Sequence, residues 1–191
     1  GHSGRYGDNP SHPFNRQVSN LSKAGADILF AAGNCGNSCA DRRCHNARSG
    51  QLETDEVSGA NGHVDVLSVG GVDINDDRLC YSSEGPGMLS PEKPDICAYT
   101  HFLGSMAYGS NKPDSGTSAA CPVAAGVIAS LRTRFDPLHV PPSRLNEVIR
   151  DTARNNYTSH AWRKGFGYGI IDPVEVLKNL ASRKVTTPLL V

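Results

Sequence analysis

The sequence predicts an α/β fold with helices flanking a mainly parallel sheet, and three observations carry that prediction. Apolar runs of strand length alternate with segments whose apolar residues recur at helical spacing. Residues 27–34 form an apolar run that ends in small residues and an amide, which reads as a buried strand with a polar tip. At 191 residues the chain is long enough to bury a real core.

The elements follow in order. Phe14, Val18 and Leu21 mark an amphipathic helix that Lys23, Ala24 and Gly25 bring to an end before the strand through Phe30. Residues 64–72 read as the next strand, residues 73–77 as a turn, and residues 79–82 as the continuation or return of that strand. A helix is expected over residues 119–135, with Pro122 tolerated in its first turn and Gly126 allowing close approach to the sheet. Leu145, Val148 and Ile149 mark a further helix, and Val174, Val176, Leu177 and Leu180 mark a last one after Pro173. Residues 1–182 read as one domain and residues 183–191 as a tail, linker or added strand.

Charge narrows the class of partner. Lysine plus arginine and aspartate plus glutamate both number 19, so no electrostatic case exists for nucleic acid or an acidic membrane surface. Polypeptides are the expected partners. No apolar run approaches bilayer length.

The most informative stretch is Gly116-Thr117-Ser118-Ala119-Ala120, where a glycine-led turn becomes an alanine-rich helix. Gly116 can take a turn geometry closed to other residues, which leaves Ser118 at a helix N-terminus that favours negative charge. Ser118 therefore reads as a nucleophile, with an oxyanion stabilised beside it. Asn34 is the polar tip of the first strand. Taken singly, Ser118 is an ordinary helix cap and Asn34 an ordinary strand end.

Together they resemble the subtilisin-like serine proteases. Three further segments fit that family in order and spacing: Tyr81-Ser82-Ser83-Glu84-Gly85-Pro86, Lys93-Pro94-Asp95-Ile96-Cys97-Ala98 and Gly167-Tyr168-Gly169-Ile170-Ile171-Asp172. The resemblance implies a subtilisin-like α/β domain lacking its N-terminal part, because the family's catalytic aspartate and histidine both precede the oxyanion asparagine. Gly1 matches the glycine that ends the strand lining the substrate cleft. The chain is thus expected to carry the nucleophile and oxyanion donor of an endopeptidase working through an acyl-enzyme. Its base would come from an N-terminal portion in the same gene product or a processed partner chain, and alone the chain would be inert. Each of the seven histidines reads as a capping or solvated residue. The alternative is a protease-derived binding or structural module without hydrolysis.

By the same resemblance Ala31, Ala32 and Gly33 form one wall of the pocket for the residue before the scissile bond, and the backbone near Gly1 the other. Glu53, Asp55 and Glu56 fall where relatives have the pocket floor. Solvation is the ordinary role of such residues, and a preference for lysine or arginine is the sharper alternative. Where many relatives have a histidine after the helix proline, this chain has Val123, a matter of packing rather than catalysis.

Of the six cysteines, Cys35, Cys39 and Cys44 share one loop with His45. The spacing lacks the paired knuckles of a zinc site, so a local disulfide that stiffens the neighbourhood of Asn34 is expected. Cys80, Cys97 and Cys121 read as plain core thiols. This cysteine usage suits an oxidising, secreted or lumenal setting. No cofactor is required. The family often carries structural calcium, for which Asp73, Asn75, Asp76 and Asp77 offer oxygens, but an Asx-rich turn is the better account of them.

Overall fold

A computed structural model of the chain describes residues 9–45, 55–106, 109–156 and 160–182. Helix α1 (Pro13–Lys23) leads into strand β1 (Leu29–Ala31). Strands β2 (Leu67–Val72) and β3 (Ile96–Tyr99) complete a parallel sheet of order β1-β2-β3. Leu29 pairs with Leu67, and Val69 pairs with both Ala31 and Ile96. Helix α2 (Thr117–Arg132) crosses all three strands, and α3 (Pro142–Asp151) and α4 (Pro173–Ser182) pack beyond it.

Every residue of β2 is buried, as the central strand of a covered sheet must be. One core joins Leu67, Val69, Ile96 and Ala98 of the sheet to Ala120, Ala124, Ile128 and Leu131 of α2. Leu145, Val148 and Ile149 of α3 and Val176 and Leu180 of α4 close it. The apolar positions predicted on α1 divide differently: Val18 is buried, whereas Phe14 and Leu21 remain 49% and 46% exposed.

The sheet is also tied by a buried polar knot. Lys93 Nζ donates to Asp95 Oδ2 at 2.6 Å and to the Val66 carbonyl at 2.5 Å. Asp95 in turn accepts from Ser68 N at 2.6 Å and from Arg150 at 3.0 Å, which links β2, β3 and α3. Burial opposes the ammonium form of Lys93 and lowers its pKa. The Asp95 carboxylate and the Val66 carbonyl keep such a charge tolerable.

Several expected boundaries move. The second strand begins at Leu67 instead of residue 64, because residues 63–66 close a turn through Val66 N and the His63 carbonyl (3.1 Å). Residues 78–79 return antiparallel on Gly71 and Val72, so the alternative of a return holds. Helix α2 starts two residues early, at Thr117, which puts Pro122 in its second turn and removes the bond its N–H would have made to the Ser118 carbonyl. Gly126 does not serve close approach to the sheet: it is exposed, and a Cβ there would meet nothing within 4 Å. The approach is made by fully buried Ala120 and Ala124, whose methyl groups are small enough to admit it.

The acidic turn after β2 is held by its own side chains. Asp73 Oδ1 accepts from Asn75 N (2.8 Å) and Asp77 N (3.0 Å), the geometry of an Asx turn. Asp76 is engaged by Arg154 and by the Tyr99 hydroxyl. Residues 183–191 lie outside the described residues.

Candidate active site

Parallel pairing brings the tip of β1 to the head of α2. Gly116 is the N-cap of α2 at φ +82°, a left-handed conformation that favours glycine. A Cβ built there would stand 3.0 Å from Asn34 Nδ2 and 3.6 Å from Ser118 N. The two groups expected to share an oxyanion therefore flank one glycine.

The first-turn N–H groups of α2 are unequally used. Thr117 N donates to Asn34 Oδ1 at 3.0 Å and Ala119 N to the Gly116 carbonyl at 3.1 Å. Ser118 N has no acceptor among the described residues, and its hydroxyl has no partner there either. Ser118 is exposed while Gly116, Thr117, Ala119 and Ala120 are buried, so only the serine faces outward. Asn34 Oδ1 also accepts from Thr117 Oγ1 at 3.0 Å, which in turn accepts from Gly33 N at 3.2 Å. These bonds consume the carbonyl side of the Asn34 amide and direct its Nδ2 donor away from Thr117.

Two clefts meet at Ser118. One, of about 220 Å³, is bordered by Ala31, Ala32, Gly33, Asn34 and Glu56, with Asp41 and Arg43 at its rim. The other, of about 500 Å³, is more apolar and is bordered by Phe102, Ala119, Pro122 and Val123. The structure thus brings the predicted wall residues and Glu56 to the serine. Asp55 is instead paired with Lys164 at 2.9 Å. Gly1 and Glu53 lie outside the described residues. No described histidine borders either cleft. His12 caps α1 by accepting from Phe14 N, and His63, buried, accepts from Asp65 N.

At the rim, two bonds from the Arg43 guanidinium and one from its backbone hold the Asp41 carboxyl down at about 2. Asp41 N donates to the Asn34 carbonyl at 2.8 Å and folds the loop back on the asparagine.

The cysteines correct one expectation. Cys35 bonds to Cys44 within the loop, as a local disulfide was expected to do. Cys80 is no core thiol: it bonds to Cys39, 41 positions away in sequence. Cys80 is exposed beside the returning chain, where it meets the loop. Cys97 and Cys121 are free, and complete burial pushes the Cys97 thiol up to about 12. Thr117 and Tyr81, whose hydroxyl accepts from Gly116 N at 3.0 Å, are contributors that motif reading did not single out.

The subtilase-family profile matches residues 2–169, and the chain belongs to that family. Among curated proteins it is 31% identical over 129 residues to the membrane-bound transcription factor site-1 protease of Mus musculus, covering 63% of this chain and 12% of that protein. It is 30% identical over 138 residues to the subtilisin-like protease SBT6.1 of Arabidopsis thaliana, covering 65% of this chain and 13% of that protein. The chain thus matches about an eighth of the length of these relatives. In fold it is similar to the patellamide maturation protease PatA, with a TM-score of 0.67 at 20% identity over 95% of this chain and 61% of that one. MycP1 from Mycobacterium smegmatis gives 0.57 at 23% identity over 85% of this chain and 44% of that one.

Proposed function

We propose that the intact protein is a serine endopeptidase and that this chain supplies its nucleophile and oxyanion donors. Ser118 Oγ attacks a peptide carbonyl and passes its proton to a histidine base supplied by an N-terminal portion of the protein. The carbonyl oxygen, now an oxyanion, takes hydrogen bonds from Asn34 Nδ2 and Ser118 N–H. The C–N bond breaks, the amine leaves with the proton held by the base, and water then hydrolyses the Ser118 ester. The single observation that carries this reading is the unclaimed Ser118 N–H, set across Gly116 from Asn34 Nδ2.

The substrate is a polypeptide lying across Ser118 from one cleft to the other. Glu56 beside Ala31–Gly33 favours a basic side chain in the smaller cleft. Two disulfides suit a secreted or lumenal setting. The decisive test is a fluorophosphonate probe on the intact protein. Covalent labelling that disappears in Ser118→Ala supports the hydrolase, whereas absence of labelling in the wild type defeats it. The 191-residue chain alone should not hydrolyse peptides, because the base is elsewhere.

A further inference from the structure

Between the segments that carry Asn34 and Ser118 runs a third, residues 80–83, bonded to both. On the Asn34 side the ties are dense: the Cys39–Cys80 disulfide, Gly36 N to the Tyr81 carbonyl at 2.7 Å, and Cys35 N to Ser83 Oγ at 3.1 Å. Ser83 N returns a bond to the Gly33 carbonyl at 2.9 Å. The packing is backbone on backbone, since a Cβ on Gly36 would stand 2.4 Å from the Cys80 carbonyl oxygen.

On the Ser118 side the link is a single phenol. Tyr81 Oη accepts from the buried Gly116 N–H at 3.0 Å, while Thr100 Oγ1 donates to the Gly116 carbonyl at 3.0 Å. Gly116 has no Cβ to limit its φ and ψ, so these two outside contacts hold the two peptide planes that flank it, 115–116 through the N–H and 116–117 through the carbonyl. The contacts close a ring from Asn34 through the loop to Cys39, across the disulfide to Cys80 and Tyr81, on to Gly116 and Thr117, and back to Asn34 Oδ1. Both oxyanion donors stand at the point where the ring closes.

We infer that Tyr81 is a positioning residue for the nucleophile turn, and that the Cys39–Cys80 disulfide acts on the site by seating Tyr81. Phenylalanine would fill the same space beside the His101 ring, whose centroid is 5.9 Å away, but could not accept a hydrogen bond. The Gly116 N–H would then be buried without a partner, and the turn would relax toward water. Ser118 N would shift relative to Asn34 Nδ2, which changes the transition state more than substrate binding.

The inference rests on the hydrolase reading for its kinetic consequence but not for its geometric one, so the experiment reads both. In the intact protein, Tyr81→Phe, the pair Cys39→Ser with Cys80→Ser, and all three together are compared for kcat, KM and amide hydrogen exchange at Gly116. Tyr81→Phe should lower kcat about 3- to 10-fold with KM unchanged, and raise Gly116 exchange by a similar factor. The cysteine pair should do the same to a smaller extent and add little once Tyr81 is Phe, the signature of action through one residue. Should the cysteine variant fail to fold, stepwise reduction of the wild type, with Cys39–Cys80 opening followed by mass, supplies the same exchange reading.

Wild-type exchange at Gly116 in Tyr81→Phe would overturn the inference, as would a lowered Tm with kcat intact. Fully additive effects would overturn the link to the disulfide. A wild type that no fluorophosphonate labels removes the hydrolase reading, and the exchange comparison still decides the role of Tyr81.

Discussion

The head and the body of α2 are held by opposite kinds of force. Its body is placed by burial: Ala120, Ala124, Ile128 and Leu131 are each at most 6% exposed against the sheet, and non-directional packing sets where the helix lies. Its far end is latched by Arg132, which donates to both Asp27 oxygens at 2.6 Å. Its head, residues 116–117, is placed by directional hydrogen bonds, donated to Asn34 Oδ1 and Tyr81 Oη and accepted from Thr100 Oγ1. The difference teaches that one helix can carry stability and reactivity in separate turns. Substitutions at the head should change rate, and substitutions in the body should change stability.

The largest effect tests the head. Ser118→Ala should lower kcat in the intact protein by about 10⁶-fold, the size of the same loss in subtilisin. Stability should stay within about 0.5 kcal/mol of wild type because Ser118 is exposed. Hydrolysis rates and a denaturant melt on the same samples check both halves. A loss of several kcal/mol would erase the distinction between head and body.

Asn34 comes next and divides the head further. Asn34→Ala should reduce kcat by about 10²–10³, again a range known from subtilisin. It also removes the acceptor for Thr117 N, at about 1 kcal/mol of stability. Asn34→Asp keeps that acceptor but replaces the donor with an anionic oxygen that also repels the oxyanion, so it should lose the rate at least as fully while keeping the bond to Thr117 N. Equal activity in Asn34→Asp and wild type would place the oxyanion donor elsewhere.

In the body, Ile128→Ala should destabilise by about 3 kcal/mol, from lost transfer energy and the cavity left in the core. Below the melting range its kcat should be unchanged. A variant with normal stability and low kcat would show that packing, not the hydrogen bonds, positions Ser118.

The same division explains what the sequence made legible. Burial leaves a periodic trace, so Val18, Leu145, Val148, Ile149, Val176 and Leu180 could be assigned to the core before any coordinates. Asn34 stands out as a polar residue ending an apolar run, and Ser118 as a hydroxyl residue opening an alanine-rich helix. Contacts that cross the fold leave no such trace. Cys80 reads as a core thiol because its partner Cys39 is distant in the chain, and Tyr81 reads as part of a strand because its hydroxyl meets Gly116 only after folding. Gly126 was assigned to the sheet side by residue type alone, when the helix in fact turns it to solvent.

The smallest effect comes from His63, which lies apart from both ends of α2, before β2. Burial disfavours its imidazolium and lowers its pKa below 6.5, and the nearby Asp65 opposes this only in part. Its Nδ1 accepts from Asp65 N at 3.1 Å, a bond the neutral ring can make. Because the folded value is depressed, the unfolded chain binds the proton more readily. The stability His63 contributes is present in full above pH 6.5 and declines as pH falls from there through the folded pKa. Chemical melts between pH 7.5 and 5 should therefore show a slope that His63→Gln flattens, of order 1 kcal/mol or less across the range. Any pH–rate profile of the intact protein should be the same in that variant, since His63 borders neither cleft at Ser118. If His63→Gln moved the rate profile instead of the stability slope, the buried histidine would be coupled to the head of α2, and the separation of the two regions would fail at its most distant point.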